Sequence, residues 1–509
     1  MRHLRAIASL IAMINCSVAS AVEPTRLLID LDQRHQTIDH FAASDCWSIQ
    51  KLDSWSEQNR NRLADLLFTT EKGIGLSMWR FNIGGGINTA TIRDPWRTVE
   101  TFEIAEGQYD WSRQAGQRWF LAAAKARGVS RFLAFVNSPP GRMTRSGLTN
   151  AGLAQGGQIK GSTNLKPGFE PQFARYLADI LEHFATHPDP SQQIIFQWVS
   201  PVNEPALNWD RGQEGNRAGN DDIVRIVKAL HAELTSRKLP TRILVPEANV
   251  IHDLYRPNDR ASREHGTLFG DYLDYFAADP QLGPMLGFTL AYHSYGSDGL
   301  DQLVQPRLRL RAKLDEHPGW TVWQSEYCVL SRKRDLGIDT ALNVARLIHC
   351  DLSIANASAW GWWLALSPYD YKDGLIYTDW KQPGDEENII PSKLLWAMGN
   401  FSRYVRPGMQ RVAIDAPGIN QNLDGLLVSA YHDHAGGKLA IVCINMAPQA
   451  ATVQVRLRSG GQEIAVPTLT PHVTSANEAD DLKAYPPVAA ADAIHIPARS
   501  IVTLTAIVP

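Results

Sequence analysis

The sequence lacks a large excess of charge of either sign. Lysine and arginine number 50, aspartate and glutamate 53, and the formal net charge is −3. No segment concentrates basic residues densely enough to follow a nucleic-acid backbone. We therefore expect no nucleic-acid partner.

Cysteine is also scarce. Only Cys46, Cys328, Cys350 and Cys443 follow the first 21 residues, and none forms a Cys-x-x-Cys pair. That spacing argues against a zinc site. A chain of 509 residues can bury a sizeable core without disulfides, so the scarcity suits a bacterial-type secreted or periplasmic enzyme. The sequence leaves open whether any of the four are bridged.

Long apolar runs are missing beyond the start of the chain. Arg2 and Arg5 accompany a mostly apolar stretch at residues 4–18, and small residues lead up to Ala21. This pattern predicts a removed signal peptide over residues 1–21 and a secreted or periplasmic location. No later segment is long and apolar enough to predict a membrane span.

Short apolar runs alternate with longer amphipathic ones between about residues 36 and 405. The eight runs are residues 36–47, 75–86, 130–140, 194–205, 241–251, 286–295, 320–328 and 357–367. Most are apolar on both faces, as parallel strands covered by helices are. Helical patterns lie between them, for example at residues 114–127, 169–187 and 221–238. We predict a (β/α)₈ TIM barrel over residues 36–407, with a doubly wound open sheet as the weaker alternative.

The pattern changes after Pro407. Residues 425–447 read as two strands joined by a Gly-Gly turn, and residues 451–459 and 498–508 alternate as half-buried strands do. We predict an all-β sandwich domain over residues 408–509. The segment at residues 22–35 also reads as a strand and is predicted to join that β domain.

Functional residues of such a barrel lie at the carboxyl ends of the strands, where the loops converge. Tryptophans there can stack on the apolar faces of sugar rings. Glu247 after strand 5 is a rival acid, which we interpret as substrate-binding or structural. The candidates, in chain order, are Asp45, Trp47, Arg80, Asn137, Asn203, Glu204, Trp209, His293, Tyr295, Glu326 and Trp363.

Two carboxylates stand out among these candidates. Glu204 in "SPVNEP" and Glu326 in "WQSEYC" each end an apolar strand, on opposite sides of the predicted barrel. Facing carboxylates are what glycosidic cleavage requires, because one protonates the leaving oxygen while the other attacks or orients the attacking water. Either acid alone could be a helix cap or a surface residue. The pair at strands 4 and 7 favours catalysis, and the distance between the two acids would decide between retention and inversion.

The motifs "WRFNIGGG", "NSPPGRMTRSG", "SPVNEP" and "WQSEYC", in this order, resemble glycoside hydrolase family 30 of the retaining (β/α)₈ clan, especially its endo-β-1,6-galactanase-like branch. The resemblance runs from about residue 25 to the C-terminus. It implies that Glu204 is the acid/base and Glu326 the nucleophile. It also implies an arginine, Arg80, close to the nucleophile, and contacts of His293 and Tyr295 with the nucleophile or the sugar.

The sequence thus predicts a secreted retaining glycosidase that needs no metal or cofactor, with β-1,6-galactan as the favoured polysaccharide or oligosaccharide substrate and a monomer as the expected state. The alternatives within the family are a β-1,6-glucanase, a β-xylosidase or xylanase, and a β-glucosidase. Outside it, the chain could be a non-catalytic carbohydrate-binding barrel or a metal-dependent barrel hydrolase that uses His293.

Overall fold

The computed structural model describes residues 23–154, 157–465 and 468–508. The predicted signal peptide at residues 1–21 lies outside this range. Within it, no helix combines the length and the apolar character needed to cross a membrane.

All eight predicted apolar runs contain parallel strands of one sheet. Barrel strands 1 to 8 are His40–Ser44, Met78–Asn82, Arg131–Phe135, Trp198–Ser200, the split strand Arg242–Ile243 and Val245–Ala248, Thr289–His293, Thr321–Glu326, and Ala359–Ser367. Strand 8 pairs with strand 1. The two pieces of strand 5 pair with strands 4 and 6 respectively. The sheet therefore closes on itself, which confirms the barrel and excludes the open-sheet alternative.

Helices cover the outside of the barrel and pack their apolar residues against it. In the helix Glu170–Ala185, Phe173, Leu177, Ile180 and Phe184 are buried together. The three helical patterns named above match observed helices to within two residues at each end. The helices of the described chain are Glu57–Phe68, Ala115–Ala126, Glu170–Ala185, Asn220–Ser236, Asp259–His265, Tyr272–Ala277, Leu282–Leu286, Gln305–Glu316, Ile338–Ser353 and Lys393–Ser402.

A second, curled and sandwich-like sheet combines the two ends of the chain. Its first strand, Thr25–Thr37, pairs antiparallel with Gln410–Asp415 and parallel with Ala451–Ser459. The N-terminal segment thus joins the C-terminal β region, as predicted. The remaining strands are Leu426–His432, Lys438–Asn445, Gln462–Ile464, Thr468–Thr474, Lys483–Ala484, Val488–Ala489, Ile494–Ile496 and Ser500–Ile507.

Two short strands extend the barrel sheet, and two separate strand pairs lie in the barrel loops. Gly374–Tyr377 pairs in parallel with barrel strand 8 and antiparallel with Ile390–Pro391. The pairs Glu103–Ala105 with Gln108–Tyr109 and Leu153–Ala154 with Gly157–Gln158 form separate two-stranded sheets. The strand Gly374–Tyr377 extends the barrel wall at the end where the candidate residues lie.

Candidate active site

The two glutamates singled out from the sequence meet at the carboxyl end of the barrel. A carboxylate oxygen of Glu204, one of Glu326 and a ring nitrogen of His293 all lie within 4.8 Å of one another. Glu204 is 7% exposed and Glu326 is 3% exposed. Strands 4, 6 and 7 therefore bring together three groups that are up to 122 residues apart in sequence.

The backbone of Glu204 is held in an uncommon conformation. Its φ is 46°, in the left-handed region that favours glycine. Its amide donates to the Glu247 carbonyl at 2.9 Å, and its carbonyl accepts from the Leu207 amide at 3.1 Å and from Trp209 Nε1 at 3.0 Å. Strained residues of this kind cost about 1–3 kcal/mol and persist where the surroundings over-determine them. These three bonds, in addition to Pro205, hold the acid in place.

Arg80 connects the nucleophile candidate to its neighbours. The side chain is 1% exposed, and Nη1 donates to Glu326 Oε2 at 2.5 Å. Nη2 donates to Asn203 Oδ1 at 3.1 Å. Tyr295 Oη donates to the other oxygen of Glu326 at 3.1 Å. Both oxygens of Glu326 are thus fixed, one of them by a charge-assisted hydrogen bond.

Glu247 supports these groups from behind. It is fully buried and accepts hydrogen bonds from Ser200 Oγ at 2.6 Å, from Ser325 Oγ and from His293 Nε2 at 3.2 Å. Its Oε1 lies 3.6 Å from Arg80 Nη2. Burial opposes its ionisation, but Arg80 and His293 outweigh burial and lower the pKa of Glu247 to about 2. Glu247 is therefore a permanent anion between two cations.

His293 bridges two of the three glutamates. Its Nδ1 lies 2.9 Å from Glu204 Oε1, and its Nε2 bonds Glu247. Burial would lower its pKa, but Glu326, Glu204 and Glu247 raise the pKa of His293 to about 10. Burial also raises the pKa of Glu204, against the opposing effect of His293. Arg80 and His293 thus lie among three buried glutamates, and burial disfavours a charge on Glu204.

The raised pKa of His293 predicts that the free energy of unfolding depends on pH. The folded-state pKa of His293, about 10, lies above its usual 6.5, so its contribution is complete below pH 6.5 and is lost as the pH rises through 10. Each pH unit in that window removes up to about 1.4 kcal/mol. Urea unfolding should show a larger difference between wild type and His293→Gln at pH 6 than at pH 9.5. An unchanged difference would contradict a protonated His293.

The same contacts predict that Glu247→Gln acts through its neighbours. Losing this anion should lower the pKa of His293 and loosen Arg80, so we expect kcat to fall about 10–100-fold, with a displaced pH profile. Ser325→Ala is the control, because it removes one hydrogen bond to Glu247 and no charge. Steady-state kinetics across pH 4–9 test this. A uniform loss with an unshifted profile would indicate a structural role only.

A pocket of about 280 Å³ opens onto the two glutamates. Seven of the predicted site residues line it: Trp47, Asn203, Glu204, Trp209, Tyr295, Glu326 and Trp363. The Trp47 and Trp363 rings meet edge to face, with their centroids 5.2 Å apart. The pocket therefore has aromatic walls beside paired acids, as a sugar-binding site requires.

Four predicted site residues lie behind this lining rather than in it. Arg80 lies behind Glu326 and Asn203, to which it donates, and His293 lies behind Glu204. Asp45 is fully buried and accepts from the Asn82 amide at 2.8 Å and from Gln117 Nε2 at 2.9 Å. Burial raises the pKa of Asp45 to about 7. Asn137 is also buried, and neither Asp45 nor Asn137 is among the residues that line the pocket.

Sequence reasoning missed several residues of the pocket wall. Arg97, at the end of the single helical turn Pro95–Arg97, and the loop residues Asn249 and Asp373 line it. The only signal for Asp373 was an acid followed by Gly374 shortly after strand 8. Arg97 and Asn249 carried no pattern that distinguishes them from surface residues.

The donor set does not fit a catalytic metal ion. Glu204, His293 and Glu326 are close enough to surround one. Both nitrogens of His293 are hydrogen-bonded to carboxylates, and its pKa of about 10 keeps it protonated at neutral pH. A protonated imidazole has no lone pair for a metal. The cluster is better matched to proton transfer than to metal binding.

Comparisons with known proteins point to one family. The family model for O-glycosyl hydrolase family 30 matches residues 24–377. The endo-beta-1,6-galactanase of Hypocrea rufa is 23% identical over 454 residues, which cover 83% of this chain and 81% of that protein. The exo-beta-1,6-galactobiohydrolase of Bifidobacterium longum subsp. longum is 28% identical over 244 residues, 40% of this chain and 15% of that protein.

A solved structure matches nearly the whole chain. The conserved exported protein from Bacteroides fragilis superposes with a TM-score of 0.82 at 29% identity, and the match covers 94% of this chain and all of that one. The barrel and the two-ended β sheet are thus shared as one unit.

Proposed function

The chain belongs to O-glycosyl hydrolase family 30, and on that premise we propose that it is a retaining β-glycosidase acting on β-1,6-linked galactan. One observation carries the retaining mechanism: the nearest carboxylate oxygens of Glu204 and Glu326 lie within 4.8 Å. Retaining enzymes place their carboxyl groups about 5–5.5 Å apart, whereas inverting enzymes need about 6.5–9.5 Å to admit a water.

The two glutamates take different roles in this proposal. The carboxylate of Glu326, held by Arg80 and Tyr295, attacks the anomeric carbon. Glu204 holds the proton that its buried position favours and gives it to the leaving oxygen. In the second step, Glu204 takes a proton from water, and that water releases the sugar from Glu326.

Asn203 is oriented for the substrate. Its Oδ1 accepts from Arg80 Nη2, which leaves the amide NH₂ group as the donor. Asn203 lines the pocket beside Glu204. We propose that it donates to the sugar 2-hydroxyl, in a hydrogen bond that strengthens as charge develops at the anomeric carbon.

The choice of β-1,6-galactan is supported by the quoted motifs and by the two galactan-cleaving relatives. Product analysis on β-1,6-galactan, β-1,6-glucan and xylan tests it. We expect galactan to be cleaved at least about 100-fold faster than the other two, because a site built to bond a given hydroxyl rejects rings that lack it there. Preferred cleavage of glucan or xylan would overturn the substrate while leaving the mechanism intact. The product lengths would distinguish endo from exo action.

We also propose that the protein works as a monomer outside the cytoplasm, in the medium or the periplasm. The predicted leader at residues 1–21 supports this location. N-terminal sequencing of protein recovered from culture should begin near Val22. An intact N-terminus on cell-retained protein would contradict it.

A further inference from the structure

We propose that Asp373 is a specificity-determining residue whose carboxylate accepts hydrogen bonds from hydroxyl groups of the sugar in the pocket. This inference rests on the proposed function, since it concerns how the same pocket chooses its substrate. The ligand class it selects is a neutral sugar ring with free hydroxyls, in preference to a ring that carries its own carboxylate at that place.

Asp373 is rigidly held at the pocket wall. It immediately precedes the short strand Gly374–Tyr377, which pairs with barrel strand 8. Its carbonyl accepts from Trp362 Nε1 at 2.8 Å, and Trp362 is fully buried. Asp373 lines the same pocket as Glu204 and Glu326. The barrel therefore fixes the position of Asp373 through strand 8 and Trp362.

The carboxylate of Asp373 is incompletely satisfied by the protein. The residue is 5% exposed, yet its Oδ1 has no hydrogen-bond partner among the described residues. The two nearby arginines, Arg97 and Arg334, form ion pairs with Asp94 and Asp379 instead. Burial raises the pKa of Asp373 to about 6, against the opposing effects of Ser367, Arg97 and Arg334. By contrast, Glu247 in the same barrel end has three hydrogen-bond donors.

A poorly satisfied acceptor at a pocket wall favours a ligand that supplies hydrogen-bond donors. Donors with the same deficit lie on the wall of the same pocket. Trp47 Nε1 is buried and lacks a hydrogen-bond partner in the described part of the chain, and Arg97 Nε has no hydrogen bond there but lies 3.6 Å from Asp94 Oδ2. The Arg97 guanidinium lies 5.4 Å from the centroid of the Trp47 ring, so the two belong to one wall.

Sugar hydroxyls match this combination because each can donate and accept. A hydroxyl can donate to Asp373 while a neighbouring one accepts from Trp47 or Arg97. A uronic acid carboxylate in the same place would be repelled by the ionised Asp373. The Asp373 side of the wall thus favours an uncharged ring.

The test compares Asp373→Asn and Asp373→Ala with wild type on β-1,6-linked galacto-oligosaccharides of defined length. We expect kcat/KM to fall about 10–100-fold, mostly through KM, because hydrogen bonds to charged acceptors are the strong ones. The melting temperature at pH 8 should not fall, since the variants remove a poorly satisfied buried charge. Asp253→Asn is the matched control: Asp253 is 4% exposed with a pKa raised to about 6, and it does not line the pocket.

Monodeoxy analogues of the same oligosaccharides separate recognition from a structural role. Wild type should lose activity on the analogue that lacks the hydroxyl bound by Asp373, and Asp373→Asn should lose nothing further on that analogue. Variants with wild-type kinetics would overturn the inference, and so would an equal loss on every analogue. If wild type cleaves none of the glycans, the proposed function fails. In that case, calorimetry can compare the affinity of galacto-oligosaccharides for the Glu326→Gln variant with their affinity for the Glu326→Gln, Asp373→Asn double variant. This comparison still decides the role of Asp373.

Discussion

Glu326→Gln is expected to abolish turnover, lowering kcat by about 10⁴-fold or more, as removal of a nucleophile does in enzymes with covalent intermediates. The amide keeps the size of the carboxylate; its single oxygen can still accept from Arg80, and its NH₂ group can donate to the Tyr295 hydroxyl. It cannot form the glycosyl ester. Substrate affinity should therefore survive, because the pocket wall is unchanged.

Glu214→Gln is the matched control for this variant. Glu214 is fully buried, accepts from the Val99 amide at 3.0 Å and lies outside the pocket lining. Burial raises the pKa of Glu214 to about 8, so an amide differs little from the protonated acid at neutral pH. Initial rates and calorimetric binding on one oligosaccharide measure both variants. Near-native turnover by Glu326→Gln would remove it from the nucleophile role.

Glu204→Gln should show an effect that depends on the leaving group. On the natural glycan, the leaving alkoxide needs a proton, and we expect a loss of about 10²–10⁴-fold in kcat/KM. On an aryl glycoside with an acidic phenol, the first step needs no acid and should be nearly unaffected. Its second step, which needs Glu204 as the base, should become rate-limiting and produce a burst of phenol.

The difference between the losses on the two substrates tests whether Glu204 transfers a proton. A similar loss on both would place Glu204 in substrate binding instead of proton transfer. Trp209→Phe is a useful companion, because it removes the Nε1 donor to the Glu204 carbonyl and keeps the carboxyl group. It should lower both rates without changing their ratio.

The barrel, the two-ended β sheet and the facing acids were predictable from the sequence, each for a physical reason. Parallel strands buried on both faces give unbroken apolar runs. Eight such runs, separated by helical segments, are compatible with few folds other than a (β/α)₈ barrel. Because the active end of a barrel collects its strand ends, Glu204 and Glu326 were expected to meet, and the structure places them together.

Contacts between side chains from distant strands were not predictable. Glu247 looked like a rival acid, but its partners Ser200, His293 and Ser325 come from three other strand regions and make it a buried support. Asp45 lies at a strand end like Glu204, yet its carboxylate accepts a hydrogen bond from Gln117 and does not line the pocket. Strand position alone does not show whether a side chain faces the pocket or the wall behind it.

The most direct test of the paired-carboxylate account is the anomeric configuration of the first product. Proton NMR, recorded within minutes of adding enzyme to a β-1,6-linked galacto-oligosaccharide, can observe the new reducing end before mutarotation. Glu204 and Glu326 within 4.8 Å predict that the β anomer forms first. Initial release of the α anomer would contradict a covalent intermediate on Glu326.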